Sequence, residues 1–338
     1  MRKKFNYKMM LVISLCLMLV GMTFAGLVQT SFGQVDVKEI SMDTDVGTLT
    51  GYLLVPKTAK TGEKLPAIVT SHGYLNNREM QDINYVELSR RGFVVFAMNA
   101  YAHGDSSVVV GENKKTINAK TGGMVDAVEY LATLPYVDVT RIGVTGHSMG
   151  GGYTNSTMEY YSNLEKEALA KGMSAKDAKA LNKIAAGVIV GNFPSNLTKV
   201  AETDGSNGYL TNLAVIGAKF DEFYLGMTGG VYGKDILSSD TLRKAIAVQT
   251  GVSVSGDVVE GQEYKNAKNG YTFTMYNPAE FHALNHFSVV TVGHIVDFFN
   301  KTLTPSNPLA GGNQTWWLKE LFNLIGLIGF ILFFVPFA

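Results

Sequence analysis

Short apolar runs and helical stretches alternate along the middle of the chain, and a long apolar segment bounds them at each end. Runs at 35–42, 49–55, 67–71, 93–98, 142–145, 186–190, 213–218 and 271–275 predict eight strands, being short and apolar and separated by polar, Gly- or Asn-containing stretches. Apolar residues at helical spacing predict helices over 78–90, 121–134, 149–160 and 289–302. Strands alternating with helices imply an α/β fold whose mostly parallel sheet is covered on both faces. The Ala/Lys/Glu-rich stretch 161–184, broken by Gly172, reads as a solvated helical insertion after 149–160.

Residues 9–28 carry no charge, and a helix of that length spans about 30 Å, the thickness of a bilayer's hydrocarbon core. Arg2, Lys3, Lys4 and Lys8 precede it, whereas Lys38 stands among Asp36, Glu39 and Asp43 after it. This asymmetry places the N-terminus in the cytoplasm and the bulk of the chain outside. The segment is either a transmembrane anchor or a signal peptide cleaved near Thr23-Phe24-Ala25. A second apolar run, 321–338, is interrupted by Asn323 and preceded by Trp316 and Trp317, rings suited to a membrane interface. The expected organisation is a basic tail (1–8), an anchor or signal peptide (9–28), a catalytic domain (33–303), a Pro/Gly/Asn linker (304–314) and a C-terminal transmembrane segment (316–338).

Charge and cysteine content narrow the chemistry. Twenty-nine Lys and Arg balance 29 Asp and Glu, so no basic surplus points to nucleic acid. Cys16 is the single cysteine and lies inside the first apolar run, which excludes an intramolecular disulfide and a Cys-based zinc site in the domain. Leu15 before it is too bulky for the site of a lipid-modified cysteine. There is no HExxH spacing, and neither a metal nor a cofactor is expected.

The stretch Arg141-Ile142-Gly143-Val144-Thr145-Gly146-His147-Ser148-Met149-Gly150-Gly151 carries the chemistry. It is a G-x-S-x-G nucleophile elbow set between a strand and a helix. Gly146 and Gly150 permit close approach of neighbouring backbone, and the helix behind Ser148 offers free N–H groups where an oxyanion would form.

From Leu131 to Gly151 (LATLPYVDVTRIGVTGHSMGG) the sequence resembles the α/β-hydrolase superfamily, in particular its dienelactone-hydrolase-like and serine-aminopeptidase-like branches. The resemblance covers about residues 47–303 and implies an eight-stranded, mostly parallel sheet. It also implies that Ser71-His72-Gly73-Tyr74 is the oxyanion loop, with the backbone N–H groups of Tyr74 and Met149 holding the oxyanion, and that Tyr101–Ser106 is the family's HGDS-type turn. The family's acid position falls on Asp221, with Glu222 as the competing neighbour, and its base falls on His282 or His286. His282, first after the last strand, is preferred from its distance to the following helix. His72, His103, His147 and His294 are read as structural. Phe193, Tyr209, Phe223, Tyr224, Met227 and Tyr232 either line an apolar acyl site or pack in the core.

The resulting expectation is a membrane-tethered serine hydrolase, its domain extracellular at the cell membrane, acting on a small or lipid-like ester, amide or thioester through Ser148, His282 and Asp221. Acyl transfer by the same triad and a catalytically silent scaffold are the alternatives. Membrane lipid is the expected partner, and protein partners are left open.

Overall fold

A computed structural model describes residues 6–201 and 204–337; Arg2, Lys3 and Lys4 of the basic tail and Ala338 lie outside the described residues. The strands are β1 (Val35–Thr44), β2 (Gly47–Pro56), β3 (Leu65–Ser71), β4 (Val94–Asn99), β5 (Val137–His147), β6 (Ile184–Val190), β7 (Asn212–Ile216), β8 (Glu263–Lys265) and β9 (Thr272–Tyr276). The helices are α1 (Tyr7–Gln29), α2 (Asp82–Ser89), α3 (Ile117–Lys120), α4 (Met124–Thr133), α5 (Met149–Ala170), α6 (Ala175–Leu181), α7 (Tyr224–Thr228), α8 (Asp240–Thr250), α9 (Val289–Leu303) and α10 (Trp316–Phe334).

The described strands form one sheet in the order β1-β2-β4-β3-β5-β6-β7-β9-β8. From β4 through β9 neighbouring strands run parallel, while β1, β2 and β8 pair antiparallel at the flanks. The central strands read as continuous apolar runs because both faces are covered. One face packs α4, α5 and α8 against Val69, Phe96 and Val144. The other packs α2 and α9 against Ile68, Val95 and Val188, with Val28 of α1 and Trp316 of α10 joining that core.

Nine strands replace the expected eight. The additional β8 is three residues with only Tyr264 buried, too short and polar to show a period. The reading from sequence also omits α8, although Ser239 caps its start, accepting from Leu242 N–H, and Gly251 closes it at φ +73°. The stretch set apart as an insertion at 161 is continuous with the elbow helix. α5 runs unbroken to Ala170 because no breaker occurs before Gly172 (φ +84°).

The ends of the chain are joined more closely than their composition implies. Gly21 of α1 abuts α10 so tightly that a Cβ there would lie 2.5 Å from Gly326 N, and a Cβ on Gly329 would lie 2.8 Å from Ser14 O. Phe24 stacks on Phe322 at 4.9 Å. Small residues at the crossing and apolar side chains around it are how helices pack in lipid. The 304–314 stretch is a docked strap and not a free linker: the buried Arg91 guanidinium donates to the carbonyls of Leu309, Ala310 and Asn313. Trp316 is likewise a core residue and Lys319 a buried ion-pair partner of Asp82 (2.6 Å), leaving Trp317 as the exposed ring.

Glu87 is the hub of this docking. Fully buried, it binds Arg91 at 2.6 Å and Arg90 at 2.8 Å, and it accepts the N–H groups of Thr315 (2.6 Å) and Trp316 (2.9 Å) at the start of α10. Burial pushes its carboxyl up, but the Thr315 N–H and the two guanidinium groups outweigh that and hold it below the usual carboxylate range. Glu87→Ala leaves Arg91 buried without its counter-charge and two helix-terminal N–H groups unpaired, so a loss of about 3–5 kcal/mol is expected. Equilibrium unfolding of the detergent-solubilised chain measures it; a loss below about 1 kcal/mol, the worth of a surface pair, would show that the knot is not a buried charge pair.

Candidate active site

β5 ends at His147, and the chain turns into α5 through Ser148, whose φ of 55° and ψ of −110° lie outside the common regions for a side-chain-bearing residue. Such a backbone costs on the order of 1–3 kcal/mol and persists only when its surroundings hold it. Here they do. Ser148 N–H donates to Val190 O (2.8 Å), and Ser148 O accepts from Gly152 N–H (3.0 Å) and Asn192 Nδ2 (2.8 Å). The flanking glycines are sterically required: a Cβ on Gly146 would sit 2.5 Å from the Gly150 carbonyl, and one on Gly150 would sit 2.3 Å from Ser71 O.

The neighbouring loops come to the same sheet edge. The oxyanion-loop candidate follows β3 and passes directly over the elbow, with a Cβ on Gly73 falling 3.4 Å from Ser148 Cβ. Among the described residues the backbone N–H groups of Tyr74 and Met149 donate no hydrogen bond, so both remain available as donors. Asp221 lies in the loop after β7 and His282 in the loop after β9, both buried. His282 Nδ1 meets Asp221 Oδ2 at 2.7 Å, which fixes the proton on Nδ1 and leaves Nε2 with a free lone pair. Glu222 is exposed, and Asp221 Oδ1 is further held by Phe223 N–H at 2.9 Å.

The other histidines take distinct places. His72 accepts the Ala100 N–H on Nε2 (3.0 Å), and its Nδ1 donates to Gly73 O (2.8 Å), so it is a neutral tether between the candidate oxyanion loop and the residue after β4. Burial pushes it down to about 4. His147 donates from Nε2 to His282 O (3.0 Å), and burial, with the neighbouring His286 and His282, lowers it well below the ordinary imidazole value. The His286 ring packs at a tilt against His147, centroids 3.9 Å apart, and bonds the Met80 backbone; burial pushes it down to about 4. His294, in α9, stacks on Tyr276 at 4.0 Å. His103 bonds Tyr101 O (3.0 Å) within its own turn.

Several contributors escape a reading of motifs. Gly191 (φ +56°) follows β6, and a Cβ there would crowd His147 Nε2 at 2.9 Å and His282 Cε1 at 3.2 Å. Asn192, which ties the elbow's carbonyl to the end of β6, is its neighbour. The signal available was the Gly-Asn pair closing an apolar strand. Of the six residues considered for an acyl site, Phe193, Tyr209 and Tyr224 are core, whereas Phe223 and Tyr232 are exposed, and the Phe223 ring stands edge-on to His282 at 4.8 Å. A cavity of about 660 Å³ lies instead at the amino ends of the strands, between Lys176, Lys183, Ile184 and Tyr271, at the opposite end of the sheet from Ser148.

With this geometry in view, likeness to known proteins can be stated. A family model described as PET hydrolase-like matches residues 23–182, taking in the candidate oxyanion loop and the turn at Ser148 and ending before Asp221. The sheet order, parallel through its centre, is that of an α/β-hydrolase fold. The uncharacterized protein YcjY of Escherichia coli (strain K12) is 34% identical over 110 residues, 32% of this chain and 35% of that protein, so the chain spans about a third of the curated relative it matches. Among solved structures, an esterase of Pyrococcus furiosus is 15% identical, covering 80% of this chain and 94% of that chain at a TM-score of 0.49. A protein described as a dienelactone hydrolase from Klebsiella pneumoniae is 12% identical, covering 79% and 99% at a TM-score of 0.48.

Proposed function

We propose that this hydrolase is a membrane-tethered serine esterase in which Ser148 is the nucleophile, His282 the general base and Asp221 the carboxylate that orients it. The observation that carries the reading is the 2.7 Å contact between His282 Nδ1 and Asp221 Oδ2 on the sheet edge where the strained elbow presents Ser148. Ser148 Oγ attacks the carbonyl carbon while His282 Nε2 takes its proton, and Asp221 stabilises the imidazolium that results. Negative charge moves to the carbonyl oxygen, where the free N–H groups of Tyr74 and Met149 and the amino end of α5 receive it. His282 then returns the proton to the leaving oxygen, and water, activated by the same nitrogen, releases the acyl group. Treating the purified chain with a fluorophosphonate probe tests this. Stoichiometric labelling is expected; a chain that stays unlabelled is a scaffold and not an enzyme.

The tether is the hairpin of α1 and α10. Its support is that both helices are long and apolar enough to cross a membrane and that α1 carries a packing face for α10, a face a discarded signal peptide has no use for. The basic residues before α1 put the far end of the hairpin in the cytoplasm and the domain outside the cell membrane. Protease added to intact cells is therefore expected to digest the domain. Cleavage only after lysis would reverse the orientation.

A further inference from the structure

The direction in which α10 leaves the domain is set by named contacts. The strap climbs α9 from its carboxyl to its amino end: Asn300 Nδ2 donates to Leu309 O (2.9 Å), Gly311 N–H to Asp297 Oδ1 (2.6 Å) and Gln314 Nε2 to Val289 O (2.8 Å). α10 then runs along α2 against the direction of that helix, with Trp316 N–H on Glu87 and Lys319 Nζ on Asp82. The amino ends of α9 and α2 both lie at the sheet edge that carries the site. α9 follows the His282 loop, and α2 follows a turn in which Arg78 N–H is held by Asn99 Oδ1 at the end of β4. So α10 exits at the active-site edge. From Phe322 to Phe337 it projects by about 24 Å at 1.5 Å per residue, with α1 antiparallel beside it.

That same edge exposes several large apolar side chains. Leu75 of the oxyanion loop is 79% exposed and Phe220 beside Asp221 is 59% exposed, and Tyr74, Phe281, Phe287 and Val290 are exposed around them. Separately exposed apolar residues are ordinary, but a ring of them on three loops and the first turn of α9, all around one site, is a docking surface. Trp317, exposed at the root of the hairpin, has the amphipathic ring suited to headgroup depth.

We infer that the mouth of the catalytic site faces the bilayer crossed by the hairpin, and that the apolar rim of Leu75, Phe220, Phe281, Phe287 and Val290 sits in its outer surface. The inference rests on the tether reading above. Its consequence is that an ester whose acyl chain is embedded in the membrane meets Ser148 without crossing bulk water.

The experiment uses the full chain, in which Cys16→Ser removes the one native thiol. Phe220→Cys, Val290→Cys and, at the opposite end of the sheet, Lys176→Cys are each labelled with an environment-sensitive nitrobenzoxadiazole dye and reconstituted into phosphatidylcholine vesicles. Labels at 220 and 290 are expected to shift to shorter emission wavelength and to lose emission to headgroup spin-labelled lipid, while the label at 176 does neither. If the chain floats with the vesicles but all three labels behave as in water, the mouth does not face the bilayer and the inference falls, the tether standing. If the chain does not float with the vesicles, the tether reading falls and takes the inference with it. Neither result depends on turnover, so loss of the esterase reading would be recognised separately by the fluorophosphonate test.

Discussion

Ser148→Ala is expected to abolish fluorophosphonate labelling and to lower hydrolysis of an activated ester by about a millionfold, the cost of removing the nucleophile from a serine hydrolase whose triad acts as a unit. The fold should survive. The strained backbone at Ser148 is held by main-chain bonds to Val190 and Gly152 and by the Asn192 side chain, none of which uses the hydroxyl. Removing Oγ therefore deletes chemistry without deleting a structural contact, and an unfolding transition close to wild type is the companion result. A Ser148→Ala protein that still labels would place the nucleophile elsewhere. One that fails to fold would show that the hydroxyl has a structural duty.

His282→Gln is expected to lose turnover on a similar scale, because in the proposed triad the base and the nucleophile fail together. His286→Gln should retain it. The two residues are four positions apart and both buried, but only His282 holds a carboxylate, at 2.7 Å; His286 packs at a tilt against His147 and bonds the Met80 backbone. Loss of those packing contacts predicts that His286→Gln lowers stability by about 1–2 kcal/mol with kcat little changed. Asp221→Asn, which keeps the shape but not the charge and favours the wrong tautomer, should fall between, at about a ten-thousandfold loss. Measuring kcat on a p-nitrophenyl ester beside thermal unfolding separates the cases. Retained turnover in His282→Gln with lost turnover in folded His286→Gln would move the base to His286.

What the sequence determined by itself is what neighbours along the chain dictate. The strand-turn-helix around Ser148 is written in consecutive residues, and the glycines at 146 and 150 are required by contacts the motif already implies. The apolar lengths of α1 and α10, and the central strands with both faces covered, are likewise properties of local runs. Asp221 and His282 could be placed only by likeness to a family, since 61 positions separate them and no local period records that they meet. Tertiary structure alone decided the rest. Trp316, which reads as a membrane-surface residue, is buried together with Lys319 because Glu87 and Asp82 on a distant helix capture the start of α10. His147 and Gly191, indistinguishable in sequence from any turn residues, lie against His282 because parallel pairing of β5 with β6 brings the ends of those strands together. The route of the strap up α9, and so the side of the domain from which the hairpin rises, is fixed by side-chain bonds between segments remote in the chain. Hydrophobic period reports what a residue needs to bury, and only the packed whole decides against which partner it is buried.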